Sequence, residues 1–183
     1  NLGTPEQFKS ACEELIAGGV TKFVFDVRYN PGGDLESITE ILDYLLPEGP
    51  IVRIVDAEGN EDVRYSDASE LDMPMCVLVN SSTASAAELF SSALQDYDKA
   101  ELVGTVTYGK GTMQTIIRLA DNTGIGISYR MYNPPYSDNY EGVGVQPDYV
   151  VEMDESVADK NIYKITDAED TQLQKAIELL TQA

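Results

Sequence analysis

Hydrophobic positions along this chain switch between a helical and a strand-like rhythm. Near the start, Phe8, Cys12, Leu15 and Ile16 recur at helical spacing, which places them on one face of a helix. Thr4-Pro5-Glu6-Gln7 ahead of them has capping-box spacing with Pro at the first helical position, and Gly18-Gly19 closes the element. The run "KFVFDVR" (22–28) is nearly continuous in apolar residues, the pattern of a short strand buried on both faces, as in a parallel sheet covered by helices. "YNPGGD" (29–34) supplies a turn, and "LESITEILDYLL" (35–46), apolar at 35, 38, 41, 42 and 45, is the helix after it. "MPMCVLVN" (73–80) repeats the buried-strand pattern. It feeds "SSTASAAELFSSALQDY" (81–97), whose Ala and Leu content and spacing predict another helix.

"IVRIVD" and "DVRY", separated by "AEGN", read as a small β hairpin beside the core sheet, because Gly59-Asn60 accommodates the positive φ of a tight turn. From 101 onward "ELVG", "TMQTIIRLA" and "GIGISYRMY" are strand-like and joined by Gly-bearing turns. A Pro- and Tyr-rich loop at 133–141 follows, and "DTQLQKAIELL" (170–180) is an amphipathic closing helix. There is no internal repeat and no low-complexity tract. Strands alternating with helices point to an α/β fold. With 183 residues, 43% of them hydrophobic, the chain suits one domain with a sizeable core. It opens at Asn1 rather than Met and reaches a helix start at once, which reads as a piece of a longer chain whose targeting signals are not in view.

Charge narrows the partners. Lys plus Arg number 12 against 32 Asp plus Glu, a formal charge of -20, so nucleic acid and anionic membrane surfaces would be repelled. Cys12 and Cys76 are the only cysteines and histidine is absent; two buried free thiols fit better than a disulfide framework, and a zinc site of the usual ligands has no support. A carboxylate-only Ca or Mg site stays open on these grounds, but no motif calls for one, and no metal or other cofactor is expected.

The chemistry concentrates in "NSSTASAAE" (80–88). A Ser that follows a buried strand at the first turn of a helix sits near unpaired backbone N–H groups and the positive end of the helix dipole, which stabilise developing negative charge. Small neighbours Ala84, Ala86 and Ala87 leave the Ser85 hydroxyl approachable, whereas Ser81 and Ser82 lie nearer the strand end and suit caps. Without histidine, the serine needs another base; a carboxylate is too weak, and a neutral lysine is the better option. Lys9, Lys22, Lys99, Lys160, Lys164 and Lys175 lie among charges on helix faces. Lys110 differs: it stands in "TYGKGTMQ", between Gly109 and Gly111, on a loop entering an apolar strand. A P-loop reading of Gly104-x4-Gly109-Lys110 fails, because Gly111 replaces the Ser or Thr that would hold Mg²⁺ and a strand follows instead of a helix.

Ser85, Lys110 and Gln114, spaced by 25 and 4 residues, follow "FDVRYNPGG" upstream. Together with "VLVNSSTASAAELFSSALQD", "LVGTVTYGKGTMQT", "YEGVGVQPD" and the closing helix, they make the chain resemble the carboxyl-terminal processing peptidases, or tail-specific proteases. That resemblance implies a Ser–Lys dyad serine endopeptidase on an α/β core related to the crotonase and Clp protease folds, with a parallel sheet and flanking helices, over residues 1–183. It implies Ser85 as nucleophile, Lys110 as general base and Gln114 as the residue holding the lysine amine. It further implies an oxyanion hole from backbone N–H of Ala86 and of either Gly32 or Gly33, the sequence leaving that choice open. Glu88 also matches a family position and reads as support for the loop, and Asp26 and Arg28 as a structural pair. Tyr29 stands where the family often has Asn, and "SSTASAA" varies the residues around the nucleophile, without removing a catalytic group.

The resemblance also implies protein or peptide substrates, an extracytoplasmic location, and, upstream of Asn1, a PDZ domain and a signal or membrane anchor. Neither is within this sequence, and a membrane would be met only through that anchor. The strand that usually precedes the first helix is also missing from it. Two other readings of the fold are a non-catalytic ligand- or peptide-binding module, against which the intact Ser85, Lys110 and Gln114 argue, and an acyl-CoA enzyme of the crotonase type, which leaves the Ser-to-Lys constellation unexplained.

Overall fold

The computed structural model describes residues 3–157 and 160–182. Strand β4 (Met75–Val79) explains the architecture, because all five of its residues are buried. Met75, Val77 and Val79 enter one hydrophobic core while Cys76 and Leu78 enter a second, as successive side chains of a strand must leave on opposite faces. β4 lies between β1 (Phe23–Asp26) and β5 (Ala100–Gly104), and β8 (Tyr149–Val150) completes a four-stranded sheet in the order β1-β4-β5-β8. Every pairing in it is parallel. Helices α1 (Thr4–Ala17), α2 (Leu35–Leu45) and α3 (Ala86–Asp96) contribute Cys12, Leu42 and Leu89 to the larger core, and α4 (Thr171–Gln182) covers the other face with Ala176 and Leu180. Burying one such Leu contributes about 2 kcal/mol. Cys12 and Cys76 are both buried free thiols in different cores, on opposite faces of the sheet.

The expected hairpin forms from β2 (Gly49–Asp56) and β3 (Glu61–Ser66), but it is not a small appendage. It is half of a second, wholly antiparallel sheet of order β3-β2-β7-β6, completed by β7 (Gly124–Asn133) and β6 (Thr112–Arg118). The β2–β7 pairing joins Arg53 to Asn133, partners too distant in the chain for a local pattern to show.

Two local expectations need correction. The capping box at Thr4 is absent: Gly3 is the N-cap of α1 and no side chain caps it, because Thr4 is itself helical and its hydroxyl no longer faces the free N–H groups. The helix expected over 81–97 begins only at Ala86, since residues 81–85 are held as a turn by bonds to other loops. α2 does start as expected after the turn; Asp34 caps it, accepting from Ser37 N–H at 2.9 Å. Those bonds hold the Asp34 carboxyl below its ordinary range.

The carboxyl end of β1 is pinned to the start of α4. Arg28, buried, donates to Asp26 (3.0 and 2.6 Å), to both oxygens of Asp170 (3.0 and 2.7 Å) and to Gln172 Oε1 (2.9 Å). Burial pushes the Asp170 carboxyl up, but the bonds from Arg28 and from the Leu173 N–H prevail and hold it below its ordinary value. Planar bidentate pairing of this kind is rigid, and it fixes the point from which the "NPGG" turn departs.

Candidate active site

Three loops meet beyond the carboxyl ends of β1, β4 and β5, the edge of a parallel sheet where backbone leaves the strands and ligands are commonly held. The turn after β4 is welded to its neighbours. Thr83, fully buried, donates through Oγ1 to Val27 O (2.9 Å) and accepts from Asn80 N (3.0 Å), while Ala84 N donates to Asn30 O (2.9 Å).

Ser85 closes this turn with φ 60 and ψ -124, a positive φ that side-chain-bearing residues adopt only where surrounding bonds enforce it. Enforcement comes from Glu88 one turn ahead, a fully buried carboxylate. Its Oε2 accepts from Ser85 N and Lys110 N, each at 2.8 Å, and its Oε1 from Thr107 Oγ1 (2.5 Å) and Gly109 N (2.6 Å). One side chain therefore ties the serine turn to the lysine loop. On the other side Gly32, at φ +89, presses against the same turn. A Cβ there would sit 2.5 Å from Ala84 O and 2.7 Å from Ala86 N and from Ser85 Cβ, so only glycine fits.

Ser85, Lys110 and Gln114 line a single cavity of about 300 Å³ with Gly33, Asp34, Ala86, Met113 and Tyr132. Gly33 and Ala86 also border a larger, mostly apolar cavity of about 450 Å³ beside Phe8, Phe25, Ile38 and Phe90. Gly32 N–H is spent on Asn30 Oδ1 at 2.9 Å. The N–H groups of Gly33 and Ala86 donate to nothing among the described residues, as the first N–H of a helix must unless something else accepts it. Tyr132 Oη stands 3.2 Å from Ser85 Oγ and is also hydrogen bonded to the carbonyl of Lys110. Burial pushes the Tyr132 phenol up to about 12, so it is protonated at neutral pH.

Comparisons with known proteins give the family. Residues 1–151 match the model of peptidase family S41. The chain belongs to that family. It is 37% identical over 172 residues to a carboxyl-terminal-processing protease of Synechocystis sp., an alignment covering 93% of this chain and 39% of that protein. It is 36% identical over 152 residues to carboxyl-terminal-processing peptidase 2, chloroplastic, of Arabidopsis thaliana, covering 81% of this chain and 30% of that one. A solved photosystem II D1 C-terminal processing protease superposes with a TM-score of 0.76 at 33% identity, over 83% of this chain and 40% of its own. A putative S41 protease from Bacteroides fragilis gives 0.76 at 19% identity, over 97% and 49%, a likeness of fold. This S41 chain thus spans about two fifths or less of the length of these curated relatives.

Within the S41 chain, the fold brings Ser85, Lys110, Gln114, Gly33 and Ala86 together around one cavity, and Gly32 lies behind the serine turn. Gln114 Nε2 donates to Ser128 Oγ at 3.2 Å across the β6–β7 pair, which leaves its Oε1 without a partner among the described residues. Sequence reasoning overlooked Tyr132. The only trace of it was the tyrosine-rich composition around 133–141; its ring is held edge-on to Tyr140 at 6.1 Å, a packing relation no linear motif displays. Glu141 was missed too, and accepts from Gly111 N at 2.6 Å, steadying the far side of the lysine loop.

Proposed function

We propose that this S41 chain is the catalytic core of a serine endopeptidase that cuts peptide bonds in C-terminal regions of protein substrates by a Ser–Lys dyad. The observation that carries the reading is the shared cavity of Ser85, Lys110 and Gln114 with two free backbone N–H groups at its wall. Ser85 Oγ attacks the scissile carbonyl while neutral Lys110 takes its proton; the same proton then passes to the leaving amine as the acyl-enzyme forms. Water attacks the acyl group with Lys110 again as base, and the carboxylate product leaves. The oxyanion is met by Gly33 and Ala86. Gly33 is preferred to Gly32 because the Gly32 N–H already serves Asn30, and a preorganised donor has to be free when charge develops. Gln114 Oε1 orients the amine of Lys110 without the charge that a carboxylate would place beside it.

Tyr132 restrains the nucleophile. Its hydroxyl reaches both Ser85 Oγ and the backbone of the base, so it fixes the serine rotamer relative to the lysine loop. Tyr132→Phe is expected to lower kcat about tenfold with little change in KM, the worth of one hydrogen bond, as steady-state peptide cleavage would measure. An unchanged kcat would reduce Tyr132 to a packing residue.

A location outside the cytoplasm belongs to the same reading; of the relatives, the Arabidopsis protein is chloroplastic by name. The direct test is chemical. Full-length protein quenched with acid during turnover of a peptide should carry an acyl group whose mass maps to Ser85. Cleavage that proceeds with the acyl group on another residue, or on none, would end the reading.

A further inference from the structure

Strand β6 is the outer strand of its sheet, and it begins inside the catalytic cavity, where Thr112, Met113 and Gln114 form part of the wall. Which of its backbone groups are free follows from the ladder. Tyr132 N donates to Gly111 O at one end of the β6–β7 pair and Leu119 N donates to Thr123 O at the other. Antiparallel pairs alternate between bonded and non-bonded, and with the register Met113↔Arg130, Thr115↔Ile127 and Ile117↔Ile125 the odd-numbered residues face β7. Thr112, Gln114, Ile116 and Arg118 therefore turn their N–H and C=O groups to the open edge. No partner for these backbone N–H groups exists among the described residues.

The side chains beside this edge are unusual for a solvent-facing sheet. Ile116 is 76% exposed, Ile117 and Ile125 48%, and Ile127 41%. The register sets Ile117 against Ile125 and Thr115 against Ile127, so they form a stripe on the face they share with Met113, a residue packed against the main core. Charge differs here as well. Between Lys110 and Asn133 there are three basic residues, with Arg118 and Arg130, and Asp121 alone is acidic, in a chain with 12 basic and 32 acidic residues.

We infer that the peptide substrate docks as an added strand on the free edge of β6, running from the Ser85 cavity toward Arg118, with apolar side chains on the Ile117–Ile125–Ile127 stripe. Strand addition takes its affinity from main-chain bonds and its specificity from alternate side chains. That matches an unpaired edge continuous with the cavity, and the local charge favours neutral or acidic segments over basic ones. The inference rests on the peptidase reading and adds to it a substrate class: extended segments apolar at alternate positions and poor in Lys and Arg.

Ile116→Pro tests it in the full-length protein. Proline removes the Ile116 N–H, which faces the edge and not β7, so the β6–β7 ladder keeps its bonds, and proline is tolerated in edge strands. Ile116→Ala keeps the N–H and removes the side chain. The measurement is kcat/KM for a peptide long enough to run the seven residues of β6, divided by kcat/KM for a short activated ester that fills only the scissile position. Ile116→Pro should lower this ratio about tenfold and Ile116→Ala much less. Equal loss in both variants, or an equal fall for peptide and ester, overturns strand addition. Loss of ester hydrolysis in Ser85→Ala reports on the peptidase reading separately.

Should Ile116→Pro fail to fold, amide hydrogen exchange decides in the Ser85→Ala protein with the uncleaved peptide. The amides of Gln114, Ile116 and Arg118 should become protected when the peptide is added. No added protection overturns the inference, as does protection already present without peptide, which would mean that another segment of the longer protein or a second copy covers the edge.

Discussion

Ser85→Ala and Lys110→Ala are each expected to reduce peptide hydrolysis by the full-length protein about 10⁴-fold or more, and the double variant no further. In the proposed dyad nucleophile and base act as one unit, so removing either would leave only the contribution of binding and the oxyanion donors. Thermal unfolding should shift little in Lys110→Ala, because no hydrogen bond among the described residues depends on its amine, and by no more than about 1 kcal/mol in Ser85→Ala, which loses the hydroxyl's share of the capping box at the start of α3 but keeps the bond from the Ser85 backbone to Glu88. Gln114→Ala should cost less than either. Steady-state assays on the wild type and the four variants check this; turnover near wild type in Ser85→Ala or Lys110→Ala would end the dyad.

The second large effect is expected at Glu88. Glu88→Ala leaves the N–H groups of Ser85, Gly109 and Lys110 and the Thr107 hydroxyl without their acceptor. Each unsatisfied buried donor costs about 1–3 kcal/mol, and because water and relaxation recover part of that, a net loss of about 4 kcal/mol is expected. Activity should fall with it, because the positive φ of Ser85 loses the carboxylate that holds its backbone N–H and relaxes. Glu88→Gln preserves shape but turns an NH₂ toward two of the donors, so it should be destabilised by less while still losing kcat. Urea unfolding and kcat measured on both variants separate the effects. If Glu88→Gln matches wild type in stability and rate, the carboxylate does not organise this site.

Legibility in the sequence followed the range of each interaction. β1, α2, β4 and α4 were readable to within a few residues, because burial on one or both faces imprints a period on the chain. The start of α3 was misplaced: "SSTAS" has helix-compatible composition, and what stops it being helical is Thr83 bonded to Val27, Ala84 to Asn30 and Ser85 to Glu88. Two of those three partners lie more than fifty residues away in the chain. The extent of the second sheet was hidden for the same reason. Ser85 and Lys110 were named from chemistry and resemblance, whereas the preference for Gly33 over Gly32 emerged only when Asn30 Oδ1 was seen to occupy the Gly32 N–H.

By itself the sequence determined what is local or compositional: the alternating elements, the charge that disfavours polyanions, a histidine-free chemistry that directs attention to lysine, and motifs that place the chain with its family. Tertiary structure alone decided that Glu88 joins the serine and lysine loops, that Tyr132 reaches Ser85, and that β6 carries an open edge out of the cavity. Each of these is a meeting of groups from separate elements, brought together by the packing of sheets and helices. Hydrogen-bond geometry selects partners in space, and a linear pattern holds no record of which distant backbone group will be left free.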